Sequence, residues 1–300
     1  MRTNGVRLHC VVDGEGPLVL LLHGFPEFWY SWRHQIAALA PRFRVVAPDL
    51  RGYNESEKPA GVPAYAMPEL IADVEGLIHA FDAREAAIVG HDWGGGVAWY
   101  FAMDRPALTR RLAVLNCPHP AIMMQHLRGN LRQLARSWYF FFFQIPWLPE
   151  FLLRLGHASP IGRALRTSTV RRDAISDEDI QCFRDAAMQS GALRGALNYY
   201  RAAFRDRGNA ALLPAPMRRF VYGDEELPPA RRALEDWPKI AAPTLLIWGE
   251  QDIALGTELT AGMEPLFSGP FEIRFIPDSG HWVQQEQPAL VNRWLEEFLR

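Results

Sequence analysis

Ala86-Ala87-Ile88-Val89-Gly90-His91-Asp92-Trp93-Gly94-Gly95-Gly96 is the stretch whose reading decides the fold. Four apolar residues run into a glycine, one acidic residue and a glycine cluster, and a helical pattern follows over Val97–Met103. The order is strand, sharp turn, helix: the G-x-S-x-G layout with Asp92 where serine stands. Glycines flank such a turn because its dihedrals are positive or crowded. Three glycines at a helix start cost about 1 kcal/mol each relative to alanine, so close backbone approach is expected in compensation. A glycine-rich turn with an N-capping aspartate would share this pattern, and the rest of the chain has to decide.

Working outward, short apolar runs alternate with helical stretches. Val6–Val12, Leu18–Leu22, Phe43–Ala47, Ala86–Val89 and Leu112–Leu115 read as strands, with helices such as Ser31–Ala40 and Glu69–Phe81 between them. That alternation predicts an α/β fold, a mostly parallel sheet with helices on both faces. It stops near Cys117-Pro118-His119-Pro120 and resumes with Thr244–Trp248, Phe271–Ile276 and a closing helix. In that helix Pro288 stands in the first turn, ahead of an apolar stripe of Leu290, Val291, Trp294, Leu295, Phe298 and Leu299. The expected organisation is therefore a core of residues 1–120 and 241–300 interrupted by an all-helical insertion over 121–240.

Composition narrows the partners. The 32 Lys and Arg nearly balance the 34 Asp and Glu, for a net charge of −2, which argues against nucleic acid or an anionic membrane held by bulk charge. Cys10, Cys117 and Cys182 are odd in number and widely spaced; they suggest reduced thiols in a cytoplasmic protein, with neither a disulfide framework nor a metal site. Met1–Cys10 has no apolar run of signal length. Trp138–Leu153, with Phe140–Phe143, contains Gln144, Pro146, Pro149 and Glu150 and falls short of the ~20 apolar residues of a spanning helix. A soluble protein is expected.

Asp92 sets the chemistry. An aspartate, with a pKa of about 3.9, is already ionised at neutral pH and attacks an electrophilic carbon unaided. The product is an ester whose carbonyl belongs to the enzyme, and hydrolysing it needs an activated water. Leu22-His23-Gly24-Phe25-Pro26 ends a strand in a tight turn; Pro26 lacks an N–H, leaving the Phe25 amide to point outward. With the Trp93 amide it would form an oxyanion hole. Trp248-Gly249-Glu250-Gln251-Asp252 and Asp278-Ser279-Gly280-His281-Trp282 each follow a strand, where open parallel sheets bind ligands. His281 is the expected general base, oriented by Asp252. Glu250 competes for the acid role, and Asp278 more weakly.

Together these stretches resemble the epoxide hydrolase branch of the α/β-hydrolases over essentially the whole chain. The resemblance rests on His23-Gly24-Phe25-Pro26-Glu27 with Trp29-Tyr30-Ser31-Trp32-Arg33, on Pro48-Asp49-Leu50-Arg51-Gly52-Tyr53, on Gly90–Gly95, and on Gly249–Asp252 with Gly280-His281-Trp282. It implies two cap tyrosines that donate to the epoxide oxygen. Ser137-Trp138-Tyr139 through Gln144 places one role on Tyr139; Leu197-Asn198-Tyr199-Tyr200-Arg201 places the other on Tyr200. Phe25, Trp93, Tyr139 and Tyr200 are then the substrate-binding set. Phenols suit a departing alkoxide, since at a pKa of about 10 they can hydrogen-bond it and give up a proton. One departure is the connector Pro214–Lys239, longer than in relatives, with Gly223-Asp224-Glu225-Glu226 and Pro228-Pro229; no function is assigned to it.

A haloalkane dehalogenase shares the fold and the aspartate, and Trp93 suits a halide. Phe25, however, stands where those enzymes typically carry a polar or tryptophan partner, and a leaving halide has no use for two tyrosines. Haloacetate dehalogenases want arginine in place of Trp93, and esterases want serine in place of Asp92. A ligand-binding sensor would lack a triad member, and none is missing. The expected substrate is a small apolar or aryl epoxide held under an aromatic cap of Trp138, Phe140–Phe143 and Trp147, without metal or organic cofactor; monomer or homodimer is left open.

Overall fold

The computed structural model describes residues 1–206, 215–223 and 233–300. Among them nine strands, β1 (Arg2–Thr3), β2 (Val6–Arg7), β3 (Cys10–Asp13), β4 (Leu18–Leu22), β5 (Arg44–Pro48), β6 (Ala86–His91), β7 (Thr109–Leu115), β8 (Thr244–Gly249) and β9 (Phe271–Ile276), form two sheets. β1 and β2 make a hairpin around Asn4-Gly5, both at positive φ, as a two-residue type I′ loop demands. The other seven lie in the order β3-β5-β4-β6-β7-β8-β9. Only β3 runs antiparallel, against β5. The run expected as one strand over Val6–Val12 thus splits in two. The amide of His9 donates to Ser56 Oγ at 2.9 Å instead of joining the sheet.

β4, β6 and β8 are buried along their whole length, as all-apolar runs in the middle of a parallel sheet should be. β9 closes one edge and is half-exposed, with Glu272 and Arg274 paired on its surface. One apolar layer, including Val74, Ile78, Trp99 and Phe101, covers one face under α2 (Met67–Ala80) and α3 (Trp93–Asp104). The opposite layer lies under α1 (Arg33–Leu39) and the last helix, Pro288–Leu299, which buries Val291, Leu295 and Leu299 and leans Leu290, Trp294 and Phe298 on the same face. Each fully buried aliphatic side chain contributes about 1.5–3 kcal/mol.

Between β7 and β8 the described residues form helices and loops: α4 (Pro120–Gly129), α5 (Leu131–Arg136), α6 (Trp138–Phe142), α7 (Leu148–Ser168), α8 (Asp177–Met188), α9 (Ala192–Arg205) and α10 (Ala215–Tyr222). α7 is broken at Leu155–Ala158, where Gly156, His157 and Ala158 take positive φ. α10 occupies part of the long connector and is tied to α9 by the Tyr222 hydroxyl, which donates to Phe204 O at 2.6 Å. Asp224, Glu225, Glu226, Pro228 and Pro229 lie outside the described residues. No helix among the described residues is long and apolar enough to cross a membrane.

Candidate active site

Register places the site. β4 pairs with β6 so that Leu22 lies beside Gly90, and the loop after β4 therefore meets the turn after β6. Asp92 takes φ 49° and ψ −119°, a conformation that costs a non-glycine residue about 1–3 kcal/mol. Its neighbours leave room only for glycine. A Cβ on Gly24 would lie 2.5 Å from Asp92 Oδ1, and one on Gly94 would lie 2.1 Å from Leu22 O. Gly96 departs from the expectation of close approach, since the nearest atom to a Cβ there is 3.8 Å away. The helix also starts earlier than its apolar pattern suggested, at Trp93, with the Gly96 amide donating to Asp92 O at 2.9 Å.

The Phe25 amide donates to Asp92 Oδ1 at 2.7 Å. The Trp93 amide opens α3, where first-turn N–H groups have no acceptor within the helix. On the other side of the carboxylate, His281 Nε2 stands 3.6 Å from Asp92 Oδ2, and His281 Nδ1 lies 2.6 Å from Asp252 Oδ2. The first distance exceeds a hydrogen bond and is one that a water can bridge. Asp252 Oδ1 accepts the Ala254 and Leu255 amides at 2.8 and 2.9 Å. Its Oδ2 also accepts Asn116 Nδ2 at 2.8 Å.

Burial works to raise the Asp92 carboxyl, but His281, His91 and the Phe25 amide outweigh it and hold the group below its ordinary value. Asp252 behaves alike, with burial opposed by His281, the Leu255 amide and Asn116. Burial alone would lower His281; the two carboxylates on either side of it push it well above the ordinary histidine value instead. Glu250 and Asp278, the competitors for the acid role, are exposed, and Asp278 is engaged by Gln287 at 2.7 Å.

Three residues near the triad escaped the sequence reading. Asn116 follows β7 at φ 39° and holds both Asp252 and, through Oδ1, the Gly249 amide at 2.9 Å. A polar residue just beyond a parallel strand was its signal, the same one that marked Asp252 and His281. Glu27 and His91 form a buried pair at 2.7 Å, and His91 Nε2 lies 2.8 Å from His281 O. Glu27 also accepts Gln284 at 3.0 Å and Gln285 at 2.9 Å. This pair ties the turn after β4, the end of β6 and the His281 backbone into one block. His23 is structural: burial lowers it, its Nε2 accepts the Leu50 amide at 2.9 Å, and its Nδ1 faces Gly24 O.

A cavity of about 530 Å³ opens above Asp92 and Trp93, with Tyr139, Phe140 and Tyr200 among its walls. The two tyrosine rings lie 6.0 Å apart, and Tyr200 stands edge-on to Trp93 at 4.9 Å. Burial, then the Asp92 charge, pushes both phenols well above their ordinary value, so they are donors. Tyr199 turns away and donates to Arg51 O at 2.9 Å. Phe25 packs its ring 5.7 Å from Tyr200 but does not line the cavity. Behind the walls, Arg201 grips Glu150 at 2.6 and 3.0 Å and donates to Phe143 O and Ile145 O, while Gln144 reaches both Phe140 O and Tyr200 O.

The expected aromatic cap needs correction. Of Trp138, Phe140–Phe143 and Trp147, only Phe140 lines the cavity. Phe143 is buried against Tyr200, while Trp138 and Trp147 point outward at 62% and 82% exposure. Met123, Met124, Leu127 and Phe204 supply much of the apolar wall instead. Cys117 lines it too, and burial raises its thiol well above the ordinary value, which keeps it neutral. Among the described residues no cluster of His, Cys, Asp or Glu could hold a metal ion.

Residues 17–288 match the family model of the alpha/beta hydrolase fold. Mouse Epoxide hydrolase 4 is 33% identical over 306 residues, spanning 100% of this chain and 78% of that protein. The AB hydrolase superfamily protein YfhM of Bacillus subtilis is 37% identical over 100% of this chain and 96% of its own length. Among solved structures, the Bacillus megaterium epoxide hydrolase in complex with an inhibitor superposes with a TM-score of 0.85 at 31% identity, covering 100% of this chain and 99% of that one. With the aspartate turn, the histidine and the full-length match in agreement, the chain belongs to the α/β-hydrolase family, in its epoxide hydrolase branch.

Proposed function

We propose that the protein opens small apolar epoxides to vicinal diols through an ester on Asp92, with residues 121–240 acting as the cap. The observation that carries this reading is one cavity holding an ionised carboxylate on its floor and two protonated phenols on its wall. Asp92 Oδ2 attacks a ring carbon, the C–O bond breaks, and the departing oxygen takes a proton from Tyr139 or Tyr200. Oδ1, already on the Phe25 amide, becomes the ester carbonyl oxygen.

Esterification then changes the histidine. His281 is held protonated by two carboxylates, and forming the ester removes the charge of one. Its proton is released, by way of the tyrosinate or solvent, and Nε2 becomes a base for the water at the Asp92 carbonyl. Water adds to Cγ, the Phe25 and Trp93 amides hold the oxyanion, and collapse expels the diol with the former Oδ2. A haloalkane dehalogenase would use the same carboxylate, but the Tyr139 and Tyr200 phenols have no task with a departing halide.

The test is turnover in H2(18)O. A single turnover should give unlabelled diol oxygen and an Asp92 peptide carrying the heavy isotope. An Asp92 peptide still unlabelled after repeated turnover of styrene oxide would remove the ester mechanism. Faster turnover of 1-bromobutane than of styrene oxide would favour the dehalogenase, and an unchanged ring-opening rate in Tyr139→Phe/Tyr200→Phe would remove the phenols from the reaction.

A further inference from the structure

α7 begins with an apolar stripe that faces away from the protein. Leu148, Phe151 and Leu152 recur at the i, i+3, i+4 spacing of one helical face, and Leu155 follows where the helix breaks, yet all four are exposed, Phe151 at 62%. Trp147, at the head of the helix, is 82% exposed, and Ile145 before it is exposed as well. The same stretch of chain also turns Trp138 and Leu131 outward, at 62% and 81%. Single exposed apolar residues need no explanation, but a helical face of them, headed by tryptophan, marks a docking surface.

Charge identifies the partner. Over residues 121–168 the chain carries six arginines, at 128, 132, 136, 154, 163 and 166, against the single acid Glu150, and Glu150 is taken up by Arg201. This segment is therefore strongly cationic in a chain whose net charge is −2. Some of the charge is answered locally, since Arg136 faces Glu258 at 3.6 Å and Arg166 pairs with Asp177. Arg132, Arg154 and Arg163 are exposed, with no carboxylate partner among the described residues. A second copy docked face to face would bring one cationic patch against another, because a two-fold interface repeats the same patch on both sides. An anionic lipid surface meets both needs: the acyl boundary takes Trp147, Phe151 and the leucines, and the headgroups take the arginines.

We propose that this face docks the protein peripherally on anionic lipid bilayers. If the epoxide reading holds, docking sets the enzyme where apolar substrate collects. The docking itself is measured without substrate, so the two ideas fail separately.

The test is flotation of the full-length protein with vesicles of phosphatidylcholine, with and without phosphatidylglycerol, beside gel filtration with light scattering. The intact protein should float with the anionic vesicles. Trp147→Glu/Phe151→Glu should lose roughly tenfold in partitioning, while hydrolysis of styrene oxide in aqueous solution and the circular-dichroism melt stay unchanged. Arg132→Glu/Arg154→Glu should abolish the preference for phosphatidylglycerol. Absence of flotation, or flotation that the Trp147/Phe151 variant keeps in full, overturns the proposal. So does a dimer that this variant dissociates without any vesicle binding, which would give the face to a second copy.

Discussion

At the scale of single residues, the site is an arrangement of charges that hold one another in place. His281 lies between two carboxylates, 2.6 Å from Asp252 and 3.6 Å from Asp92, and each keeps the others ionised. On the proposed mechanism, ring opening spends the Asp92 charge, and hydrolysis depends on His281 losing its proton in response. His281→Gln should therefore still alkylate and then stall. Intact-protein mass spectrometry after mixing with styrene oxide should show the added mass of one substrate molecule, with steady-state turnover down by roughly 10³-fold or more. Asp252→Asn should stall at the same stage, and a variant of either kind that turns over without a mass adduct counts against the division of labour. Asp92, Asp252 and His281 could be picked out in the sequence because each comes shortly after a strand-like run, largely apolar before Asp92 and Asp252 and alternating over Phe271–Ile276 before His281. Asn116, Glu27 and His91 were not, because their work is done through partners far away in the chain. A lone Asn after a strand does not announce that it will hold an aspartate 136 positions later.

Among the elements, the segment around α6 and helix α9 carry the two phenols and must be held in register with each other. Arg201 does this from α9: its guanidinium takes both oxygens of Glu150 and two backbone carbonyls of the intervening loop. Replacing Arg201 by Met should cost about 3 kcal/mol, the usual consequence of leaving one partner of a largely buried pair alone. Ring opening should slow more than ester hydrolysis, since the clamp supports the tyrosines and not the triad; denaturant titration and single-turnover kinetics read the two effects. An equal loss in both half-reactions would show that the clamp acts on stability alone. Sequence patterns marked this region as helical but did not say which of its rings face the cavity. Phe140–Phe143 and the flanking tryptophans look alike as a string, and the side each ring presents depends on helix ends and on the Glu150–Arg201 pair, neither of which periodicity encodes. The split of Val6–Val12 into β2 and β3 has a similar origin, in a hydroxyl from Ser56 that takes the His9 amide.

For the molecule as a whole, the same charges make stability depend on pH. Asp92 and Asp252 have folded values below the ordinary carboxylate, so their contribution is present above about pH 3.9 and is lost as pH falls through the lower folded values. His281 is raised, so its contribution is complete below about pH 6.5 and fades as pH rises through the higher folded value. Melting temperature should therefore be most favoured by the triad between about pH 4 and 6.5. His281→Gln should flatten the decline on the alkaline side; an unaltered pH dependence in that variant would place the effect elsewhere. Whole-chain charge does not show where charge lies along the chain. A net value near zero conceals a cationic stretch over residues 121–168.

The interrupted sheet also has a consequence for the chain as it is made. β7 pairs with β8, and Leu115 lies beside Ile247, so more than a hundred residues must be synthesised before that edge is covered. At ribosomal speeds of about 5–20 residues per second, the nascent protein exposes an unpaired apolar strand for on the order of ten seconds. Through that interval it carries Asp92, the carboxylate proposed to attack, but neither the His281 imidazole nor Asp252 behind it. On the proposed mechanism, an ester formed on Asp92 in that interval would wait for the rest of the chain before it could be hydrolysed.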